Sequence, residues 1–181
     1  MRLIETKLKD CFVIEPNVFA DDRGYFFESY NKEKFNKALG QNINFVQDNE
    51  SFSSKGVLRG LHFQKGEFAQ AKLVRVIKGE VLDVAVDLRP DSPSFGKYES
   101  VVLTGENKKQ FFVPRGFAHG FVVLSDTAIF SYKCDNFYNK ESEGGLIFND
   151  KTLNIDWKLP ESECLLSEKD KILPTFETLF K

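Results

Sequence analysis

The chain contains only two histidines, His62 and His119, and both lie in apolar segments that contain glycine. A histidine in such a setting can be a hydrogen-bonded structural residue, but an imidazole also suits general-base chemistry near neutral pH. Two similar settings in a chain with no other histidine favour function. The position two after His62 is Gln64, and no H-x-H or H-E-x-x-H pattern occurs, so no metal site is predicted.

Arg59 lies three residues before His62, in the otherwise apolar segment 57–61. An arginine there needs an anionic partner, either a carboxylate of the protein or a phosphate of a ligand. The sequence leaves both alternatives open. Lys72 adds a further basic side chain shortly after this segment.

Tyr132, Tyr138 and Asp170 are further candidates with competing structural roles. Tyr132 ends a predicted strand, where it can pack in the core or donate a proton from its hydroxyl group. The spacing Ser167-x-x-Asp170 fits a helix capping box. Together, His, Tyr, Lys and Arg side chains suit proton transfer on an anionic substrate, without naming that substrate.

The elements that must position these residues are mostly strands. Segments 73–77 and 81–88 flank Lys78-Gly79-Glu80 and are predicted to form a hairpin, as are 121–124 and 128–132. In 81–88, Leu and Val alternate with Asp83, Ala85 and Asp87, which predicts a half-buried strand. A further strand is predicted at 111–114. Short strands at this spacing are typical of a sandwich or small barrel, whose mouth can hold a ligand.

One helix is predicted from Asn31 to Gly40, with Asn31 as its N-cap, Gly40 at its end and Phe35 on its apolar face. A second, short helix is predicted to start at Ser167. Both are peripheral to the strands.

Composition indicates one globular domain, 1–181, with 41% hydrophobic residues and a net charge of −2. The charge pattern lacks the basic stripe of a nucleic-acid binder, so no nucleic-acid partner is expected. Three widely spaced cysteines do not form a disulfide framework. The N-terminal segment has no signal-peptide pattern, and no apolar run matches a membrane span. We therefore expect a cytoplasmic protein without membrane association.

Several segments closely resemble the dTDP-4-dehydrorhamnose 3,5-epimerases. They are 19–30, which contains Arg23 and Glu28, and 45–51, 56–64, 70–76, 79–87, 114–121 and 142–144. The resemblance runs in order from about residue 10 to Asp170. It implies an all-β, cupin-type antiparallel jelly-roll barrel with a few short peripheral helices, a homodimer, and no metal or other cofactor.

The resemblance also implies a reaction. The substrate is dTDP-4-dehydro-6-deoxy-D-glucose, whose C4 ketone acidifies the protons at C3 and C5. His62 would remove a proton, and Asp170 would orient His62. Lys72 would stabilise the enolate, and Tyr132 would return a proton on the opposite face of the sugar. The product would supply L-rhamnose for cell-surface polysaccharide.

The remaining residues implied by the resemblance bind the nucleotide sugar. Arg23 and Arg59 suit the pyrophosphate, and Tyr138 would stack on thymine. The others would contact base, sugar or phosphates: Glu28, Gln47, Asn49, His119, Glu143 and Lys169.

Four alternatives differ from this hypothesis. An enzyme that inverts only C3 or only C5 would use the same His and Tyr. A ketoisomerase is disfavoured by a base and an acid on opposite sides, and a sugar-nucleotide binding module needs neither. A metal-dependent oxygenase is disfavoured because the sequence lacks the metal ligands that such an enzyme needs.

Overall fold

A computed structural model describes all residues, 1–181. The chain forms thirteen strands: β1 Arg2–Glu5, β2 Phe12–Glu15, β3 Val18–Asp21, β4 Gly24–Phe27, β5 Gln47–Ser54, β6 Leu58–Gln64, β7 Lys72–Lys78, β8 Glu80–Asp87, β9 Tyr98–Thr104, β10 Gln110–Val113, β11 Phe117–Val123, β12 Thr127–Cys134 and β13 Glu143–Gly145. The helices are α1 Lys32–Leu39, α2 Phe176–Leu179 and the 3₁₀ turns Gly66–Phe68, Lys140–Ser142, Glu161–Glu163 and Asp170–Ile172. None of the helices is long and apolar enough to cross a membrane.

The strands form two facing antiparallel sheets and one separate hairpin. The six-stranded sheet has the order β1-β2-β10-β7-β12-β5, and the five-stranded sheet has the order β13-β6-β11-β8-β9. Strands β3 and β4 pair only with each other. This architecture confirms the predicted all-β jelly-roll barrel with short peripheral helices.

Both predicted hairpins are wrong, although their strands are present. β7 belongs to the six-stranded sheet and β8 to the five-stranded sheet, and β11 and β12 are divided in the same way. The two short connections therefore carry the chain from one sheet to the other. They meet at one end of the barrel, where Ser125 Oγ accepts a hydrogen bond from the Glu80 backbone N–H at 2.8 Å. Each strand belongs to the sheet in which it pairs with strands that are distant in the sequence, and not to the sheet of its neighbour along the chain.

The prediction that β8 is half-buried is also wrong, because both of its faces are covered. Leu82, Val84 and Val86 pack on the outer face of the five-stranded sheet against the C-terminal segment, which contributes Trp157. The opposite face of β8 points into the barrel and carries Asp83, which has no exposed surface. The polar residues in the alternating pattern are thus interior residues.

The main core lies between the two sheets and is rich in phenylalanine. Phe111 and Phe130 from one sheet pack with Phe121 from the other, and the rings of Phe121 and Phe130 stack at 4.1 Å. Each fully buried side chain of this size contributes about 1.5–3 kcal/mol relative to exposure. This core fills one part of the barrel and leaves the other part open.

Helix α1 confirms the prediction for Asn31 to Gly40. The Asn31 side chain accepts a hydrogen bond from the Lys34 backbone N–H, and Gly40 adopts a left-handed conformation at the C-terminus. Phe35 is buried against Phe112 on the outer face of the six-stranded sheet. The predicted C-terminal helix is a single 3₁₀ turn that begins at Asp170, with Ser167 Oγ accepting from the Asp170 backbone N–H at 3.2 Å.

Candidate active site

A cavity of about 550 Å³ opens between the two sheets, within the usual size range of small-ligand sites. Its polar lining comes from three parts of the fold. The five-stranded sheet contributes Arg59, His62 and His119, and the six-stranded sheet contributes Lys72 and Tyr132. The six-stranded sheet also contributes Glu50 and Ser51, which lie on β5. The C-terminal segment adds Ser167, Lys169 and Asp170.

An extra residue in β6 brings Arg59 and His62 to the same cavity. Residues three apart on a regular strand point to opposite faces. Here Arg59 pairs with Phe121 and His62 with His119, so β6 has two intervening residues where β11 has one. This bulge restores both side chains to the interior face. It needs Gly60, because a Cβ atom there would lie 2.6 Å from Gly120 Cα.

His62 and Asp170 form a hydrogen-bonded pair at the cavity wall. His62 Nε2 lies 2.6 Å from Asp170 Oδ1, and the Asp170 side chain is only 5% exposed. Burial raises the pKa of Asp170, but the hydrogen bond and charge of His62, together with the Gly60 backbone N–H, outweigh it and hold the pKa below its ordinary value. Asp170 is therefore ionised at neutral pH, and Nε2 donates.

Tyr132 and Lys72 line the cavity from the sheet opposite His62. Burial raises the pKa of the Tyr132 hydroxyl above its ordinary value, with a further increase from Cys134 and an opposing effect from Arg59. The hydroxyl is therefore protonated at neutral pH and able to donate. Burial lowers the pKa of Lys72, against the charges of Cys134 and Asp83, among others.

Arg59 has no carboxylate partner, which removes one of the two alternatives left open by the sequence. Its Nε donates to Ser53 Oγ at 3.1 Å, and no ion pair engages the rest of the guanidinium. Ser53 is buried and was not singled out in the sequence. The guanidinium is held in place by a neutral group and keeps its charge available for an anion in the cavity.

The cavity rim carries a chain of polar contacts. Lys169 Nζ forms an ion pair with Glu143, and the Tyr138 hydroxyl donates to Glu143 Oε2 at 3.3 Å. Burial raises the pKa of Glu143, but Lys169 and Tyr138 lower it below its ordinary value. Tyr138 is exposed to solvent.

Gln47 and Asn49 lie on β5, the strand that contributes Glu50 to the cavity lining, but do not line the cavity themselves. Asn49 is directly opposite Tyr132 in the pairing of β5 with β12. Gln47 Nε2 donates to Asn49 Oδ1 at 3.0 Å, and Asn49 Nδ2 contacts Cys134 Sγ at 3.8 Å.

Two residues predicted to bind substrate lie away from the cavity of their own chain. Arg23 is in the turn between β3 and β4 and pairs with Asp21. Glu28 follows β4 and pairs with Lys34 Nζ at 2.9 Å. Neither contributes to the cavity lining.

Asp83 is a buried group for which the sequence analysis gave no role. His119 Nε2 lies 2.9 and 3.0 Å from its two carboxylate oxygens. The signal in the sequence was an aspartate in a strand of Leu and Val residues, but only the fold shows that its side chain faces His119.

No group of three or more His, Cys, Asp or Glu side chains is arranged to hold a metal ion. The cavity wall carries two histidine–carboxylate pairs, His62–Asp170 and His119–Asp83, and a tyrosine, Tyr132, on the opposite sheet.

A family model described as dTDP-4-dehydrorhamnose 3,5-epimerase matches residues 5–178. The chain belongs to the dTDP-4-dehydrorhamnose 3,5-epimerase family. This membership confirms the family and the enzyme class, an isomerase, that the sequence predicted.

Three relatives show how completely the resemblance extends. The dTDP-4-dehydrorhamnose 3,5-epimerase of Escherichia coli is 53% identical over 181 residues, covering 100% of this chain and 97% of that protein. The crystal structure of the Elizabethkingia anophelis 3,5-epimerase has a TM-score of 0.96 and 64% identity, covering 98% and 97% of the two chains. The Legionella pneumophila enzyme, solved in complex with dTDP-4-keto-L-rhamnose, has a TM-score of 0.93 and 48% identity, covering 97% and 93%.

Proposed function

We propose that this protein inverts C3 and C5 of dTDP-4-dehydro-6-deoxy-D-glucose to give dTDP-4-dehydro-L-rhamnose. The observation that carries the proposal is the placement of the His62–Asp170 pair and Tyr132 on opposite walls of one cavity. A base and an acid on opposite sides of a bound ring invert a carbon, whereas one group on one side would return the proton to the same face.

His62 removes the proton through Nδ1. Its Nε2 donates to the ionised Asp170, so Nδ1 carries the only free lone pair of the ring. The carboxylate fixes this tautomer and stabilises the imidazolium that forms when the proton arrives. The C4 ketone takes up the electron pair as an enolate.

Lys72 stabilises the enolate oxygen and Tyr132 supplies the returning proton. Preorganised charge of this kind is worth about 2.7–4 kcal/mol per donor in well-studied enzymes. The raised pKa of Tyr132 keeps it protonated until the carbanion needs a proton. The same pair serves both C3 and C5, because the ketone at C4 acidifies both neighbours.

The nucleotide lies toward the cavity rim. Arg59 takes the pyrophosphate, since its guanidinium has no carboxylate of its own. Tyr138 stacks on the thymine with its exposed ring. The remaining contacts to base, sugar and phosphates come from Gln47, Asn49, His119, Glu143 and Lys169.

A homodimer explains why Arg23 and Glu28 lie outside the cavity of their own chain. The β3–β4 hairpin pairs with no other strand and exposes Phe19 by 65% and Phe26 by 70%. Exposed aromatic surface of this kind is typical of an interface. Strand β5 is the free edge of the six-stranded sheet and exposes Phe52 by 65%. We propose that the hairpin of one copy packs across β5 of the other and so brings Arg23 to the neighbouring cavity.

Mixed dimers test this arrangement. Arg23→Ala and His62→Ala are each expected to lower turnover strongly as pure dimers. In a mixed dimer, the cavity with an intact His62 also receives an intact Arg23 from the other chain. Mixing the two variants should therefore restore activity, and a mixture no more active than its components would refute the shared site.

Residues 1–181 are proposed to act as one domain in the cytoplasm. The core between the sheets draws on strands from β2 to β12, so both sheets depend on the same buried residues. Cys11, Cys134 and Cys164 are free thiols, which fits a reducing compartment.

Proton NMR of dTDP-4-dehydro-6-deoxy-D-glucose with the protein in heavy water tests the function. Deuterium at both C3 and C5, with a product that a rhamnose reductase accepts, is the expected result. Deuterium at one carbon would make the protein a mono-epimerase or an isomerase, and none at either would refute proton transfer on this substrate. His62→Ala is the control and should incorporate no deuterium.

A further inference from the structure

Asp83 is a fully buried carboxylate beside the cavity that has no place in the mechanism above. It lies on the interior face of β8 with 0% exposure. Its two oxygens accept from His119 Nε2 at 2.9 and 3.0 Å, and it has no other hydrogen-bond partner. A buried carboxylate is costly unless it is paired, so its presence needs a reason.

Asp87 shows what a structural carboxylate on the same strand looks like. It is equally buried, yet it accepts from five donors of Arg89, Ser92 and Ser94 and so fastens the loop after β8. The carboxylate of Asp83 accepts no hydrogen bond from a loop residue or from a backbone N–H. Its only hydrogen-bond partner is a residue that lines the cavity.

Lys72 is the second cavity residue affected by Asp83. Burial lowers the pKa of Lys72, and the charges that oppose this come from Cys134 on β12, Asp83 on β8 and Glu143 on β13. Cys134 is a neutral thiol at working pH, since burial raises its pKa to about 11. Glu143 is engaged by Lys169. Asp83 is therefore a buried negative charge, not paired with a lysine or arginine, that favours the ammonium form of Lys72.

Burial also raises the pKa of Asp83 itself, and His119 and Lys72 oppose this increase. Lys72 and the Asp83 carboxylate thus stabilise each other's charged forms. Removing the carboxylate would leave Lys72, which is half-buried in the cavity wall, without this opposing charge.

We propose that Asp83 is a positioning residue for the epimerisation: its carboxylate fixes the ring of His119 through Nε2 and places a buried negative charge beside the cavity that Lys72 lines. This inference rests on the proposed function. His119 then turns Nδ1, which has no hydrogen bond within the protein, to the substrate.

The first test is the pH profile of kcat for Asp83→Asn, which removes the charge and keeps the shape. The sign follows from Lys72: without Asp83 its pKa falls further, so the ammonium form is lost at lower pH. The alkaline limb of kcat should move down by about one to three pH units, as the loss of a nearby opposite charge predicts. The acid limb should stay in place. Ser94→Ala, which removes one donor to Asp87 outside the cavity, is the matched control and should keep the wild-type profile.

A variant whose alkaline limb coincides with that of the wild type would overturn the inference while leaving the proposed function intact. If the wild-type protein itself showed no epimerisation, the proposed function would be refuted instead.

The second test keeps Asp83 in place and stays decisive if Asp83→Asn fails to fold. The chain has only two histidines, so ¹⁵N NMR of the His62→Ala variant shows the imidazole of His119 alone. We expect the hydrogen of the neutral ring to lie on Nε2, and a hydrogen on Nδ1 instead would overturn the inference.

Discussion

Replacing Asp170 with asparagine tests the histidine–carboxylate pair most directly. Asparagine has the same shape, and its Oδ1 can still accept from His62 Nε2. What is lost is the negative charge that stabilises the imidazolium after His62 takes a proton. Asp170→Asn should therefore lower kcat and leave KM nearly unchanged, because the substrate does not contact this carboxylate in the proposed mechanism.

The contact itself sets the size of the effect. His62 Nε2 and Asp170 Oδ1 are 2.6 Å apart, and Asp170 is nearly excluded from solvent. A hydrogen bond to a charged group contributes about 1.5–3 kcal/mol and a neutral one about 0.5–1.5 kcal/mol, so exchanging one for the other costs about 1–1.5 kcal/mol. Since about 1.4 kcal/mol corresponds to a factor of ten in rate, kcat should fall about 5- to 13-fold.

Deuterium incorporation at C3, measured under saturating substrate, is the assay. Ser167→Ala is a useful comparison, because it removes the cap on the Asp170 backbone N–H but leaves the charge of Asp170 and its contact with His62 in place. That variant should lose about 0.5–2 kcal/mol of stability but keep kcat. If Asp170→Asn also retained kcat within about twofold, well short of the loss expected for a charged hydrogen bond, Asp170 would be only part of the turn at Asp170–Ile172 and the base assignment of His62 would lose its support.

Four further predictions follow from the site and the fold. Tyr132→Phe should block inversion while deuterium still exchanges at the first carbon, and a variant that epimerises normally would remove Tyr132 as the acid. Arg59→Met should raise KM by about 10- to 150-fold with a smaller change in kcat, because a charge-assisted contact to phosphate is lost; an unchanged KM in steady-state kinetics would place the pyrophosphate elsewhere. Gly60→Ala should lower the free energy of unfolding, measured in urea, by more than the roughly 1 kcal/mol expected for Gly40→Ala. The reason is that Gly60 has φ of +123° and faces the backbone of β11, whereas Gly40 faces open space. Equal losses in the two variants would argue against the bulge. The pKa of Asp170 is lowered in the folded state, so the ionised carboxylate stabilises the fold above the ordinary aspartate pKa of about 3.9, and this stabilisation is lost as pH falls through the lower pKa of the folded state. The thermal unfolding temperature of Asp170→Asn should therefore depend less on pH in that acid range than that of the wild type.

Local patterns in the sequence predicted elements well where neighbours along the chain decide the outcome. Asn31, Phe35 and Gly40 define helix α1 through capping and one apolar face, all within a few residues. The strands around Gly79 and around Asp126 are also where their composition predicted. Their partners are not, because short connections here join different sheets, and pairing depends on residues far along the chain.

The sequence predicted the candidate site only in part. His62, Lys72, Tyr132 and Asp170 lie together as expected, although Asp170 is 108 residues from His62 in sequence. Arg23 and Glu28 matched the same family segments but do not line the cavity of their own chain. Sequence resemblance does not show which residues of a matching segment reach a common site.

Residue types and their order were enough to predict the reactive side chains, the β-rich architecture and the family. The tertiary structure decided which of those side chains meet. It placed an extra residue in β6, so that Arg59 and His62 share one face. It also turned the apparently polar face of β8 inward, so that Asp83 became a buried partner of His119. The physical reason is the same in both cases: a strand has two faces, and only its pairing with distant strands decides which one is enclosed.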